Sequence, residues 1–293
     1  MSDERLSLLL ALADDELIIG HRMSEWTGWV PYVEEDLAFS SIAQDEMAHA
    51  RALYEIASPM AGRDVDALAL GRRPEEYRNA VICERPNRDY AFTLARHYLY
   101  DSADHVRLDS LRDSTWKELA NLIEIIELEE RYHREHAQTW FERLAAGPVD
   151  ARSRIAAAFA ATIGEAMAIF EPLPDEDALL ADGTMPRSNA DLLGVWLEHL
   201  GRRLEAAGLE RVMESGNEEP VGEMVPTSSG AMEAGDDAAH TLRVPGLQRR
   251  DGRWMHVGEF EGAGGRFGRH SPDFAPLWDE MTGLYRAHPG TTW

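Results

Sequence analysis

An all-α fold, a four-helix bundle with additional C-terminal helices, is predicted by three features of the 293-residue sequence. Apolar residues recur at three- and four-residue spacing through four long stretches before residue 145. The connections between those stretches run short, long, short, the connectivity of two helical hairpins packed together. Each stripe is apolar at both ends and carries an acid or an imidazole at mid-length.

The first helix spans about residues 3–26, with a turn over 27–31. The second spans 33–57 and ends near Ser58-Pro59. A less regular stretch follows, punctuated by Gly62, Gly71, Pro74 and Pro86. The third helix covers 89–113 and the fourth 115–146, closed by Gly147-Pro148. Two further helices fall at 151–170 and 189–213, so the bundle occupies residues 1–213. From 214 to 242, Gly, Ser, Glu, Asp and Pro dominate without a period, the composition of an acidic flexible linker or insertion. Residues 243–293 regain aromatics, among them Trp254, Phe260, Phe274 and Trp278, with a short helix at 272–286. That tail is too small for a core of its own and is expected to pack on the bundle or on a partner.

Composition narrows the function. With 29 basic and 53 acidic residues the net charge is −24, a surface that repels nucleic acid and anionic lipid. Lys117 is the only lysine, a bias that fits salt adaptation or a GC-rich genome. No apolar run is expected to approach the ~20 residues that cross a bilayer, because Asp14, Asp15 and Glu16 interrupt the Leu-rich start. Cys83 is the single cysteine, which excludes an internal disulfide and fits a reducing cytoplasm.

The chemistry lies in a repeat. Two Glu-x-x-His motifs occur, Glu46/His49 and Glu130/His133, and with 31 Glu and 11 His chance supplies about one. Their arrangement is the stronger signal. Glu16 precedes Glu46 by 30 residues and Asp101 precedes Glu130 by 29, so the chain twice writes acid helix, turn, Glu-x-x-His helix. Positions three and four apart share a helix face, so Phe39, Ile42, Glu46, His49 and Leu53 form one stripe. Ile123, Ile126, Glu130, His133 and Ala137 form another. All four helices then point acids or imidazoles inward at one level.

Four carboxylates buried together are unfavourable unless cations compensate them. The expected ligands are Glu16, Glu46, His49, Asp101, Glu130 and His133, the set of a ferritin-like di-metal bundle. Imidazole and carboxylate oxygen suit two iron ions, with manganese as the other cation of this donor set. Asp45 and Glu129, each beside a Glu ligand, are placed to accept the second ring hydrogen of a histidine. Asp104 and His105, one turn beyond Asp101, are candidates for the same supporting shell.

Several runs carry a family resemblance. They include Leu12-Ala13-Asp14-Asp15, Arg22-Met23-Ser24-Glu25-Trp26, Glu35-Asp36-Leu37-Ala38, Arg131-Tyr132-His133 and Trp140-Phe141-Glu142-Arg143-Leu144. Toward the end come Gly268-Arg269-His270-Ser271 and Trp278-Asp279-Glu280-Met281. Together, over about residues 5–210 and 262–293, they resemble the C-type (PaaC-type) subunit of phenylacetyl-CoA epoxidase.

The resemblance implies a multicomponent di-iron monooxygenase of aerobic phenylacetate catabolism. An A-type catalytic subunit would be the partner, and a separate flavin/iron–sulfur reductase would bring electrons from NADPH. Phenylacetyl-CoA or a similar acyl-CoA would be the substrate, and a homodimer or hetero-oligomer the assembly. C-type subunits of this kind are structural, having lost most ligands. This sequence departs from that pattern, with Glu, Glu and His at positions 16, 46 and 49. The departure favours a metal-bearing subunit. The alternatives are a non-catalytic scaffold for the A-type partner and a ferritin-like oxidase with another substrate.

Overall fold

A computed structural model describes residues 2–30, 32–209, 246–250, 253–288 and 291. Helix α1 is Ser2–Ser24, α2 is Val33–Ala61, α5 is Tyr90–Leu111 and α6 is Lys117–Ala145. Between α2 and α5 lie the short helices α3 (Val65–Ala69) and α4 (Val81–Glu84). After α6 come α7 (Val149–Met167), α8 (Glu176–Ala181), α9 (Asn189–Ala206) and α10 (Phe274–Ala287). One antiparallel hairpin, β1 (Leu247–Arg250) with β2 (Arg253–His256), is the only sheet among the described residues. Helix α1 packs on α2, and α5 packs on α6 and on α7. The two hairpins meet where α2 touches α6. This is an all-α, ferritin-like bundle.

Local chemistry sets the ends of these helices. Asp89 caps α5 by accepting from the Phe92 N–H at 2.9 Å. Helix α2 does not stop at Ser58-Pro59 but runs through Pro59 to Ala61. Its stop is Gly62, in the left-handed region at φ 63°, donating to the Ser58 carbonyl. A proline so close to the end removes a single hydrogen bond, which the last turn tolerates. Helix α9 ends earlier than its periodicity predicts, at Ala206, because Gly208 turns the chain at φ 65° and Leu209 N–H reaches back to the Leu204 carbonyl at 2.7 Å. The expected helix over 207–213, the linker at 214–242 and Trp293 fall wholly or mostly outside the described residues.

One expectation is corrected. Val149–Phe170 is long and apolar enough, by length and composition, to cross a membrane. Within the bundle 61% of its apolar window is buried, as in a core helix. Ile155, Phe159, Ile163 and Met167 face α5 and its neighbours rather than solvent.

The core is divided. One apolar cluster holds Ile18, Phe39, Ile42, Leu99, Phe141, Phe159 and Trp196. A second holds Leu8, Leu9, Leu12, Leu53, Leu108, Ile123 and Ile126. On α1, α2 and α6 the boundary between the clusters falls at Glu16, at Glu46 with His49, and at Glu130 with His133, while on α5 it falls between Val106 and Leu108, at the buried Arg107. A polar belt therefore crosses the bundle between two apolar halves.

Charges fix that belt from one side. Asp14 and Asp15 are fully buried. Asp14 accepts from Arg72 Nη1 at 2.9 Å and from the Arg78 N–H at 2.6 Å. Asp15 accepts from Arg107 Nη1 at 2.8 Å, the Ala80 N–H at 2.7 Å and both terminal nitrogens of Arg266 at 2.8 and 2.9 Å. Arg266, from the C-terminal stretch, is 1% exposed and also donates to the carbonyls of Ala11, Arg78 and Ile169. Burial opposes ionisation of Asp15, but the two guanidinium groups overcome it and hold the carboxyl below its usual range.

Candidate metal centre

Helices α1 and α2 approach closely where the site begins. A Cβ on Gly20 would lie 2.9 Å from the Cβ of Glu46 and 3.2 Å from the Ala43 carbonyl oxygen. A glycine one turn after Glu16 therefore lets α2 come in and set Glu46 beside Glu16. Ligand atoms of Glu16, Glu46, His49 and Glu130 all lie within 4.8 Å of one another, and all four residues are buried.

The imidazoles give the site its shape. His49 Nδ1 is 3.3 Å from Glu16 Oε2 and 3.5 Å from Glu130 Oε1. His133 Nδ1 is 3.0 Å from Glu130 Oε1 and 3.5 Å from Glu46 Oε1. Both Nδ1 atoms therefore face the carboxylates, with Glu130 between the two rings. Both Nε2 atoms point outward, each to an acid of the opposite motif. His49 Nε2 donates to Glu129 at 2.8 Å and His133 Nε2 contacts Asp45 at 3.3 Å. Tyr100 donates its hydroxyl to Glu16 at 3.1 Å. Burial first, then the Glu16 charge, raises that phenol well above its ordinary value, so it stays a donor.

Asp101 is fully buried, and its Oδ2 lies 3.0 Å from His97 Nδ1, an ion-pair distance without hydrogen-bond geometry. Asp104 is turned to Arg107, at 3.1 Å from its Nε. His105 is 40% exposed at the side chain and contacts Glu127 at 3.1 Å. The structure thus gathers Glu16, Glu46, His49, Glu130 and His133, with Asp45 and Glu129 behind the rings. It gives Asp101, Asp104 and His105 other immediate partners.

Electrostatics without a cation are unfavourable at this point. Burial, followed by the charge of Glu16, raises Glu46 well above the usual carboxylate range. Burial would lower His49, but hydrogen bonds to Glu130 and Glu16 outweigh it and push the ring up to about 11. His133 rises to about 9 against the same burial, through Glu130. Glu46 Oε2, Glu130 Oε2 and both oxygens of Asp101 are buried with no hydrogen-bond partner. Unsatisfied carboxylate oxygens opposite two imidazole nitrogens are a donor set suited to iron or manganese, and the gathered group contains no cysteine to favour a structural zinc site.

A second polar chain leads away from Asp101. His97 Nε2 lies 3.3 Å from His136 Nδ1, and His136 Nε2 lies 3.0 Å from Glu35 Oε2. Glu35 also accepts from Tyr90 OH at 2.7 Å and Trp140 Nε1 at 2.6 Å. Sequence reasoning missed this chain, since its members lie on α2, α5 and α6 without a common motif. Burial, then the neighbouring His97, lowers His136 to about 4 despite Glu35. Between pH 6.5 and about 4 the unfolded chain binds a proton at His136 that the folded chain refuses, so stability falls as pH drops through that window. The stability gap between wild type and His136→Gln is therefore expected to narrow across it. Thermal unfolding of both proteins checks this, and a gap that stays constant would assign the acid sensitivity to other groups.

The family model described as phenylacetic acid catabolic protein matches residues 1–219. The chain is 34% identical over 139 residues to a protein named as the C subunit of 1,2-phenylacetyl-CoA epoxidase, from Escherichia coli (strain K12). That alignment covers 47% of this chain and 56% of the relative, so the chain spans little more than half the length of the curated protein it matches.

Proposed function

Since the chain belongs to the phenylacetic acid catabolic protein family, we propose that it is a metal-bearing, ferritin-like subunit of a cytoplasmic multicomponent oxygenase acting on phenylacetyl-CoA. The observation that carries this reading is the pair of buried oxygens without a hydrogen bond, Glu46 Oε2 and Glu130 Oε2, on carboxylates that face the two imidazoles of His49 and His133. Glu16, Glu46, His49, Asp101, Glu130 and His133 would hold two iron ions, with manganese the competing cation. Such a pair, when bound, supplies activation of O2 for epoxidation of the aromatic ring.

This chain's own residues do the rest. Glu130 reaches both imidazoles, and Glu46 sits against Glu16 on one side and His133 on the other. With a metal bound, Glu129 and Asp45 would accept the outward Nε2–H groups and so present each Nδ1 lone pair inward. The hydroxyl of Tyr100 fixes Glu16. Apolar clusters above and below exclude water, which strengthens every charge interaction inside.

Electrons would come from NADPH through a separate flavin/iron–sulfur reductase, and an A-type subunit would be the partner. Exposed apolar side chains on α6, Ile125, Leu128 and Tyr132, and on α2, Val33 and Leu37, support contact with another protein surface. In this proposal the bundle occupies residues 1–213, an acidic linker 214–242 and a tail 243–293. A scaffold without metal leaves the buried Glu46 Oε2 and Glu130 Oε2, which have no hydrogen bond, unexplained.

Elemental analysis of protein from iron-supplied cells is the test. About two irons per chain are expected in the wild type and none in Glu46→Ala/His49→Ala. The absence of metal from wild type, or equal metal in both, would sink the reading.

A further inference from the structure

A groove of about 900 Å³ opens between α5, α6 and α9, and its inner wall includes the buried Asp101. That volume lies in the range of sites for cofactor-sized molecules. Its lining is unlike the rest of the chain. Basic side chains are 29 of 293 residues in a protein of net charge −24, yet four of the groove's 13 lining residues are arginines. They are Arg131 and Arg134 on α6 and Arg202 and Arg203 on α9, against the acids Asp101 and Glu135.

Two of these guanidinium groups are already engaged. Arg134 pairs with Glu127 at 3.1 Å and Arg202 donates to the Glu198 carbonyl at 3.3 Å. Arg131 and Arg203 have no hydrogen-bond or ion-pair partner among the described residues. With 53 acidic residues available in the chain, two arginines left open on facing helices are suited to an anion brought from outside. A guanidinium fork matches phosphate oxygens two at a time. Two walls with one free fork each match a ligand carrying phosphate at two separated points. The net charge excludes a nucleic-acid polymer for this groove, whose length would run onto the acidic surface.

We propose that this groove binds the nucleotide end of a coenzyme A thioester, with Arg131 and Arg203 on its phosphates and the acyl arm directed toward Asp101. The assignment rests on the reading of the chain as an acyl-CoA oxygenase subunit, but its test needs neither metal nor turnover. Free coenzyme A is titrated calorimetrically into the purified full chain at low ionic strength. Saturable binding is expected, weakened tenfold or more in Arg131→Gln/Arg203→Gln. It is also expected to weaken with added salt, and for dephospho-coenzyme A, which lacks one phosphate position.

All of these side chains are exposed, so the substitutions leave the core intact, and Arg51→Gln on α2 serves as a charge control with unchanged affinity. A wild type that fails to bind coenzyme A, or a double variant that binds as tightly, overturns the groove. If metal is present and coenzyme A does not bind, the groove falls and the oxygenase reading stands. If coenzyme A binds at Arg131 and Arg203 in a chain without metal, the groove stands and the metal reading falls.

Discussion

Replacing Arg266 by leucine is expected to lower the free energy of unfolding by about 3–5 kcal/mol, the cost of breaking a buried ion pair by removing one partner. The guanidinium is 1% exposed and donates to Asp15 and to three backbone carbonyls. Leucine takes that donor from the three carbonyls and leaves Asp15 with Arg107, the Ala80 N–H and the weak Cys83 thiol donor. Asp15 adjoins Glu16, so the loss also loosens the first acid of the candidate metal centre. Urea unfolding measures the change. A surface pair such as Arg51–Glu55 is the contrast, where substitution is worth at most ~1 kcal/mol. An Arg266→Leu protein as stable as Arg51→Gln would show that the C-terminal stretch does not brace the bundle.

The second large effect separates folding from metal binding. Glu46→Gln is expected to leave the metal-free protein within ~1 kcal/mol of wild type, because burial and Glu16 already keep the Glu46 carboxyl raised well above its usual range. A protonated acid and an amide have nearly the same shape, so no cavity forms. Metal is another matter, since an amide is a poor ligand beside a carboxylate. At a metal concentration of 100 Kd the wild type gains about 2.7 kcal/mol, and the variant is expected to gain almost nothing. Thermal unfolding with and without added Fe(II) or Mn(II) measures both quantities. An equal gain in the two proteins would remove Glu46 from the ligand set.

Helices were legible because their signal is local. Stripes such as Ile42, Glu46, His49 and Leu53 repeat within one element, and the duplicated acid-then-Glu-x-x-His order lined four such stripes up at one level. Asp45 and Glu129 were legible as histidine partners, but not which histidine each would hold. A residue one position before the ligand sits a quarter-turn round the helix, so it reaches the facing helix. Arg266 was not legible at all. Its partner lies 251 positions away, and no periodicity links an arginine in a Gly-rich stretch to an aspartate on α1. The Asp101–His97–His136–Glu35 chain was hidden for the same reason, each member a lone polar residue until packing joined them. Pro59 and Gly208 misled the reading of two helix ends, because the outcome depends on which turn the residue falls in.

The crossed pairing of the outward ring nitrogens makes the two halves of the repeat hostages to each other. His49 is steadied by Glu129 and His133 by Asp45, so neither Glu-x-x-His motif contains its own support. A substitution at Asp45 should disturb His133 on α6 before His49 on α2. Loss of one Glu-x-x-His motif together with its flanking acid therefore also removes the support of the other motif's imidazole. On the proposed ligand set, such a loss is expected to cost both ions together rather than one.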